Sequence, residues 1–295
     1  KNKNINIKII LYLNKQKLYI KMANQSQSEQ YAFNAFANLP FYSSINSEFI
    51  ELANIYDKKS IVDLGCGTGN ITKLILEKII SAKDSVIYAV DSSKSALKTA
   101  ASDLENNPIV KFIHSEVQNL TDAVKDKADA MIYCNSIHYV PDKHKLLEDI
   151  GDKLNSNGVL AFNTSFYDGS HPEESHEFYR KWMFRSLRLL SKDYKLRPIK
   201  SEKVSSRQQL RPDDYVSLLE KTGYKIEHIK AKSYQVPIDG FHYISEFKDW
   251  IEGVLPGVPL DIGKKTLQKA LKEVFKEMSL TTVPRNWLSV RAVKA

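Results

Sequence analysis

Residues 61–70 read IVDLGCGTGN: two apolar residues, an acid, and then glycine at every second position from Gly65 to Gly69. Ile61, Val62 and Leu64 suit a short buried strand. The glycines that follow permit left-handed backbone angles and leave room where a Cβ would collide with an approaching molecule. Beyond them Ile71, Leu74, Ile75 and Ile79 recur at helical spacing, so residues 70–80 can lay one face on a sheet. Strand, tight turn and helix are therefore predicted in that order. The helix would point its unpaired N–H groups into the turn, which favours an anionic group there. Asp63 stands just before the turn and repels a bare phosphate, whereas a cationic amine would suit its carboxylate.

Dinucleotide-binding folds also place a glycine-rich loop after a strand, but Gly65-x-Gly67-x-Gly69 lacks the two-residue gap before the third glycine of their fingerprint. The block resembles motif I of the class I S-adenosylmethionine-dependent methyltransferases, an acid-x-Gly-x-Gly-x-Gly loop. The resemblance implies S-adenosylmethionine as cofactor, held by Asp63, Gly65 and Gly67. It also implies an α/β fold: a doubly wound, seven-stranded, mostly parallel sheet ending in an antiparallel hairpin.

SVIYAVD, residues 85–91, is an apolar strand ending in Asp91, 22 positions beyond Gly69, near the spacing at which such folds hold a ribose through its hydroxyls. Ser92 follows it. A helix is expected over 95–105. VKFIHSE ends at Glu116 with Val117 next; in similar enzymes an Asp and a small or apolar residue at this place meet the adenine. ADAMIYCNS, 128–136, supplies a fourth strand, and Asn135 to His138 fall at its carboxyl end, where open α/β folds bind ligands. Leu146, Leu147, Ile150 and Leu154 predict a helix closed by Asn157-Gly158, and VLAFNTS a fifth strand. YKIEHIKA near 224–231 and NWLSVRAV over 286–293 read as the last two strands. Alternation of strands with helices of this length argues for a parallel, doubly wound sheet. Insertions near 165–212 and 232–284 are expected to cap the binding edge of one domain spanning 23–295.

The chain has 295 residues, 42% apolar and 26% charged, an ordinary globular composition. Its formal charge of +8 is local: residues 1–21 hold six lysines and no acid, and 8 − 6 leaves +2 for the remainder. That segment precedes Met22 and is read as an extension outside the fold. With it set aside no basic stripe points to nucleic acid. The longest apolar run there, Ile9 to Leu13, is too short for a membrane span. Cys66 and Cys134 lack metal-ligand spacing and read as apolar fillers, in keeping with a reducing, cytoplasmic compartment. His171 and His176 flank Glu173 and Glu174 without matching a metal-site spacing, so no metal is expected.

For chemistry, His138 is the histidine expected at the edge where the methyl group would sit, either as a proton acceptor or as a wall of the pocket, with Tyr139 beside it. In related enzymes an aromatic segment near the N-terminus folds over the cofactor, and Tyr31 is the matching residue. The likeness is nearest to carboxyl O-methyltransferases acting on small or lipid-like acids, carried by NSIHYVPD and the aromatic insertion before the last strand. It implies a small-molecule acceptor methylated at oxygen. Methylation at carbon or nitrogen, or binding of the cofactor by a regulator without catalysis, stays open. One arginine among Arg180, Arg185, Arg188, Arg207 and Arg211 is expected to meet an acid. Of Phe241, Tyr243, Phe247 and Trp250, at least half are expected in the cap's own core.

Overall fold

The structure, a computed structural model, describes residues 34–79, 84–105, 107–199 and 209–295. The basic extension, Tyr31 and Arg207 lie outside the described residues.

Strand β1, Ser60–Leu64, is buried from Ile61 onward and pairs in parallel with β2, Val86–Asp91, on one side and β4, Ala128–Cys134, on the other. Because strand side chains alternate, Val62 and Leu64 join one apolar cluster and Ile61 the opposite one, as expected of a sheet covered on both faces. β3, Val110–His114, extends the parallel sheet beyond β2, and β5, Leu154–Thr164, extends it beyond β4. β7, Thr282–Lys294, pairs antiparallel with β5 and then with β6, Tyr224–Pro237, giving the order β3-β2-β1-β4-β5-β7-β6. This is the expected seven-stranded, mostly parallel, doubly wound sheet.

Its helices follow their caps and apolar stripes. On one face lie α1, Pro40–Ala53, with Pro at its first turn; α2, Asn70–Lys78; and α3, Lys94–Asp103, whose Ser93 cap accepts from the Ala96 amide at 3.2 Å. Phe49, Ile71, Ile75 and Leu97 bury against Ile61, Ile87 and Ile132 there. The short α4, Leu120–Ala123, and α5, Lys143–Lys153, cover the other face through Leu120, Leu146, Leu147 and Ile150. The helix expected to close at Asn157-Gly158 ends earlier. Leu154 already pairs with Ala128, and the left-handed Asn157 (φ 61°) sits in an irregular stretch of β5 before Val159 resumes pairing with Ala130. Its apolar run continued across the helix–strand junction, so periodicity alone placed the boundary late.

Two insertions gather over the carboxyl edge of the sheet. The first carries α6, His176–Tyr194, then α7, Pro212–Lys221, which returns to the sheet. The second carries α8, Ile238–Ile244, α9, Lys248–Val254, and α10, Leu260–Glu277. α6 and α10 are joined by a bond from the Trp182 indole N–H to the Leu267 carbonyl, 2.9 Å, inside a separate aromatic-rich core with Phe178, Phe241, Phe275 and Trp250. Outside it, Arg185 pairs with Glu273 and Lys181 with Glu277.

Candidate functional site

The glycine turn leaves β1 with Gly65, Gly67 and Gly69 all at positive φ (66°, 54° and 90°), a path that residues with a Cβ rarely take. Gly69 is also tightly packed: a Cβ there would meet Ala100 Cβ at 3.1 Å and a Leu104 methyl at 3.3 Å, so its bareness lets α2 start against α3. No side chain caps that helix start, and its first N–H groups face the turn.

Beside the turn Asp91 ends β2, and its carboxylate organises the loop. Oδ2 accepts from the Gly67 amide at 2.8 Å and Oδ1 from the Ser93 amide at 2.7 Å. Each oxygen keeps a further lone pair for a ligand hydroxyl. A cavity of about 590 Å³ opens over this edge. It falls in the range of roughly 300–1,000 Å³ usual for small-molecule sites. Gly65, Gly67, Asp91, Ser92, Glu116, Val117 and Asn135, all expected from sequence to bind the cofactor, line it together. Asn135 is fixed in a left-handed conformation (φ 46°): its amide donates to Asn163 Oδ1 at 2.8 Å, and its own Oδ1 accepts from the Ser165 amide at 2.9 Å. Glu116 caps a short turn, Val117–Asn119, instead of ending β3, which stops at His114.

Two expected residues sit behind this wall. Asp63 does not line the cavity. It is buried beneath the turn, where Oδ2 accepts from the Thr72 hydroxyl at 2.6 Å and Oδ1 has no partner among the described residues. Burial, opposed by the Thr72 bond and reinforced by the Asp91 charge, raises its pKa to about 7. His138 is likewise absent from the lining. Its ring lies between Tyr139 (centroids 4.2 Å apart) and Phe166 (4.5 Å), with Nδ1 3.2 Å from the Thr164 hydroxyl. Burial, then the Lys143 and Arg285 charges, pulls its pKa down to about 3. The neutral ring thus lies behind the cavity rather than in its wall, and Tyr139 is the neighbour that reaches the lining.

The far half of the cavity is built from Phe36, Phe166, Ile244, Phe247, Trp250 and Trp287. All four cap aromatics belong to or pack against the cap core, and of them Phe247 and Trp250 also face the cavity. None of Arg180, Arg185, Arg188 and Arg211 lines the cavity; the arginine that does is Arg285, on β7. It was overlooked because the last strand was read as starting at Asn286. A strand antiparallel to β5 presents its first residues at the edge where parallel strands present their last, and that rule would have pointed to it. His171 accepts from Arg285, and His176 contacts the His171 carbonyl at 3.0 Å. Cys66 and Cys134 are buried free thiols, and burial, then the Asp63 charge, pushes Cys134 up to about 12.

The donor set suits S-adenosylmethionine. An uncapped helix start fits its carboxylate, and the Asp91 lone pairs fit ribose hydroxyls. The half-buried Val117 beside Glu116 fits a purine. A family model described as a methyltransferase domain matches residues 55–223.

The chain belongs to the methyltransferase-domain family. Among relatives of this family, a trans-aconitate 2-methyltransferase of Delftia acidovorans is 30% identical over 116 residues, 39% of this chain and 41% of that protein. A malonyl-[acyl-carrier protein] O-methyltransferase of Halalkalibacterium halodurans is 31% identical over 121 residues, 38% and 42%. The chain thus spans well under half the length of the curated relatives it matches. Among solved methyltransferases, the Haemonchus contortus phosphoethanolamine N-methyltransferase 2, in complex with phosphomonomethylethanolamine and S-adenosylhomocysteine, superposes with a TM-score of 0.54 at 17% identity, covering 90% of this chain and 56% of that one. The likeness concerns the fold.

Proposed function

We propose that this protein transfers a methyl group from S-adenosylmethionine to an oxygen, carboxylate or hydroxyl, of a small or lipid-like metabolite. The observation that carries the reading is one cavity with two chemically different halves: the glycine turn with Asp91, Glu116 and Val117 at one end, and an aromatic chamber under the cap at the other. The names of the two bacterial relatives, both O-methyl or carboxylic-acid methylating enzymes by name, favour an oxygen acceptor.

When bound, the cofactor supplies a methyl group on a positively charged sulfur, already activated for transfer. The chain's own residues bind, orient and exclude water. The start of α2 with Gly65 and Gly67 holds the amino-acid end, Asp91 with Ser92 the ribose, Glu116 and Val117 the adenine, and Asn135 bounds the donor half. Tyr31 is assigned a covering role from its sequence position. The cap keeps water from the chamber, and positioning of two reactants in this way is worth on the order of 7–11 kcal/mol of a barrier. No proton transfer is assigned to His138, whose ring is buried and neutral. A carboxylate acceptor, ionised at neutral pH, needs none. We read residues 23–295 as one domain with its cap, working in the cytoplasm, where the two free thiols stay reduced, on a small-molecule acceptor and not on nucleic acid.

The test is titration calorimetry with S-adenosylmethionine, S-adenosylhomocysteine and NAD, followed by an acceptor screen with methyl-labelled cofactor over carboxylic acids, phenols and lipids. Binding of the first two without NAD, and label in an ester or ether, is the expected result. Preference for NAD would overturn the reading, and label on nitrogen or carbon would overturn the oxygen assignment. Binding with no acceptor across the screen would leave a regulator instead of an enzyme.

A further inference from the structure

Arg285 is 2% exposed, yet it lines the aromatic chamber. Its Nη1 donates to His171 Nε2 and to the Tyr179 hydroxyl, both at 2.9 Å, and Nη2 donates to the Ser165 carbonyl at 2.7 Å. The guanidinium carbon lies 5.3 Å from the centre of the Phe166 ring. Every one of these partners is neutral, His171 included: burial, then Arg285 and His176, pulls its pKa to about 3. Among the described residues no carboxylate lies within ion-pair distance of Arg285. Arg291, on the same strand, pairs with Glu227, and Arg185 with Glu273.

A buried cation without a counter-ion costs several kcal/mol, and neutral hydrogen bonds offset only part of that. As a staple between β7 and the segment after β5, a neutral donor would serve as well at lower cost. The charge gains its purpose when an anion enters the chamber. Three of the five guanidinium N–H groups are engaged, which leaves two donors for that anion. Apolar and aromatic surface around it would receive the anion's carbon body.

We infer that Arg285 determines acceptor specificity by binding a carboxylate, so that the acceptor is a carboxylic acid with an apolar or unsaturated body and not a neutral alcohol. This rests on the methyl-transfer reading above and narrows it. His171 and Tyr179 are positioning residues that hold the guanidinium toward the chamber.

The test uses the full chain saturated with S-adenosylhomocysteine, with octanoate, 3-phenylpropanoate and trans-aconitate as probes, each beside its amide. Tryptophan fluorescence, with Trp250 and Trp287 in the lining, and calorimetry read binding. In the wild type at least one acid binds roughly tenfold or more tighter than its amide, as expected for hydrogen bonds to a charged group. Arg285→Gln abolishes that preference while the affinities for the amide and for S-adenosylhomocysteine stay within about twofold, a pattern that a staple alone would not produce. His171→Asn and Tyr179→Phe, which keep the charge, retain the preference with weaker acid binding. Acids bound no better than amides by the wild type would overturn the inference even if Arg285→Gln failed to fold, as would a preference that survives in the variant. Failure of S-adenosylhomocysteine itself to bind would instead strike the methyl-transfer reading.

Discussion

Asp91 is the residue on which the donor half turns, because the same carboxylate that would meet the ribose also holds the Gly67 and Ser93 amides. Asp91→Ala removes both functions, and S-adenosylhomocysteine affinity should fall by roughly 100-fold or more, the scale of two lost bonds to a charged acceptor; calorimetry with an unchanged dissociation constant would free Asp91 from the site. His138 makes a prediction of a different kind. Its imidazole has a folded-state pKa of about 3 against an ordinary 6.5, so between those values the unfolded chain binds the proton and the folded one does not. Its contribution therefore lowers stability as pH falls below 6.5, by about 1.4 kcal/mol per pH unit. Asp63 acts in the opposite sense: with its pKa raised to about 7, the folded state keeps the proton longer, and stability declines as pH rises from about 4 toward 7. In His138→Gln the urea-derived stability at pH 4.5, taken relative to that at pH 6.5, should lie about 2–3 kcal/mol higher than in the wild type, whereas no change would mean that the ring is not buried neutral.

At the level of single elements, the β1–turn–α2 unit is the most constrained. Gly69 combines φ 90° with a neighbour only 3.1 Å from its missing Cβ, so Gly69→Ala meets backbone strain and a clash with α3 at once. A loss of about 2–4 kcal/mol in chemical denaturation, with weakened cofactor binding, is expected; wild-type stability would show that α3 gives way freely. This unit was legible in the sequence because its glycines, acids and apolar periods are local signals. β2 and β4 were legible too, as apolar runs leading into Asp91 and Asn135 at the binding edge, whereas β3 stops two residues short of its expected end at Glu116. Asp63 and His138 were harder to read. Sequence places them at that edge, but only packing reveals that Thr72 draws the first under the turn and that Tyr139 and Phe166 enclose the second. Arg285 lies one residue before the expected start of the last strand, and only the antiparallel pairing of β7 with β5 brings it to the binding edge.

For the molecule as a whole, the sheet supplies a rigid floor and the two insertions a roof whose own core is tied by Trp182 to Leu267 and by the Arg185–Glu273 and Lys181–Glu277 pairs. The order of strands followed from the resemblance and from alternation of strands with helices. That the two insertions would form a roof was expected as well, but not how they pack, because they are joined through contacts between residues far apart in the chain, such as Trp182 with Leu267 and Lys181 with Glu277. A ligand that binds between floor and roof must stabilise the assembly: at a hundred times its dissociation constant S-adenosylhomocysteine contributes about 2.7 kcal/mol. A rise of roughly 5 °C or more in the melting temperature is expected with it and none with NAD; scanning calorimetry showing no rise would mean that the cavity is not the donor's binding place. Trp182→Ala should cost about 3–5 kcal/mol and release the roof before the sheet.

The position of β7 has a consequence for how the protein is made. Everything assigned to the cofactor is encoded before residue 140, but Arg285 and Trp287 belong to a strand that slots between β5 and β6, both synthesised earlier. On the ribosome, a nascent chain could assemble its nucleoside-holding half while the chamber for the acceptor is still without its charge. On the proposed reading, the acceptor chamber thus gains its charge after the donor half, when that strand zips into the gap left for it.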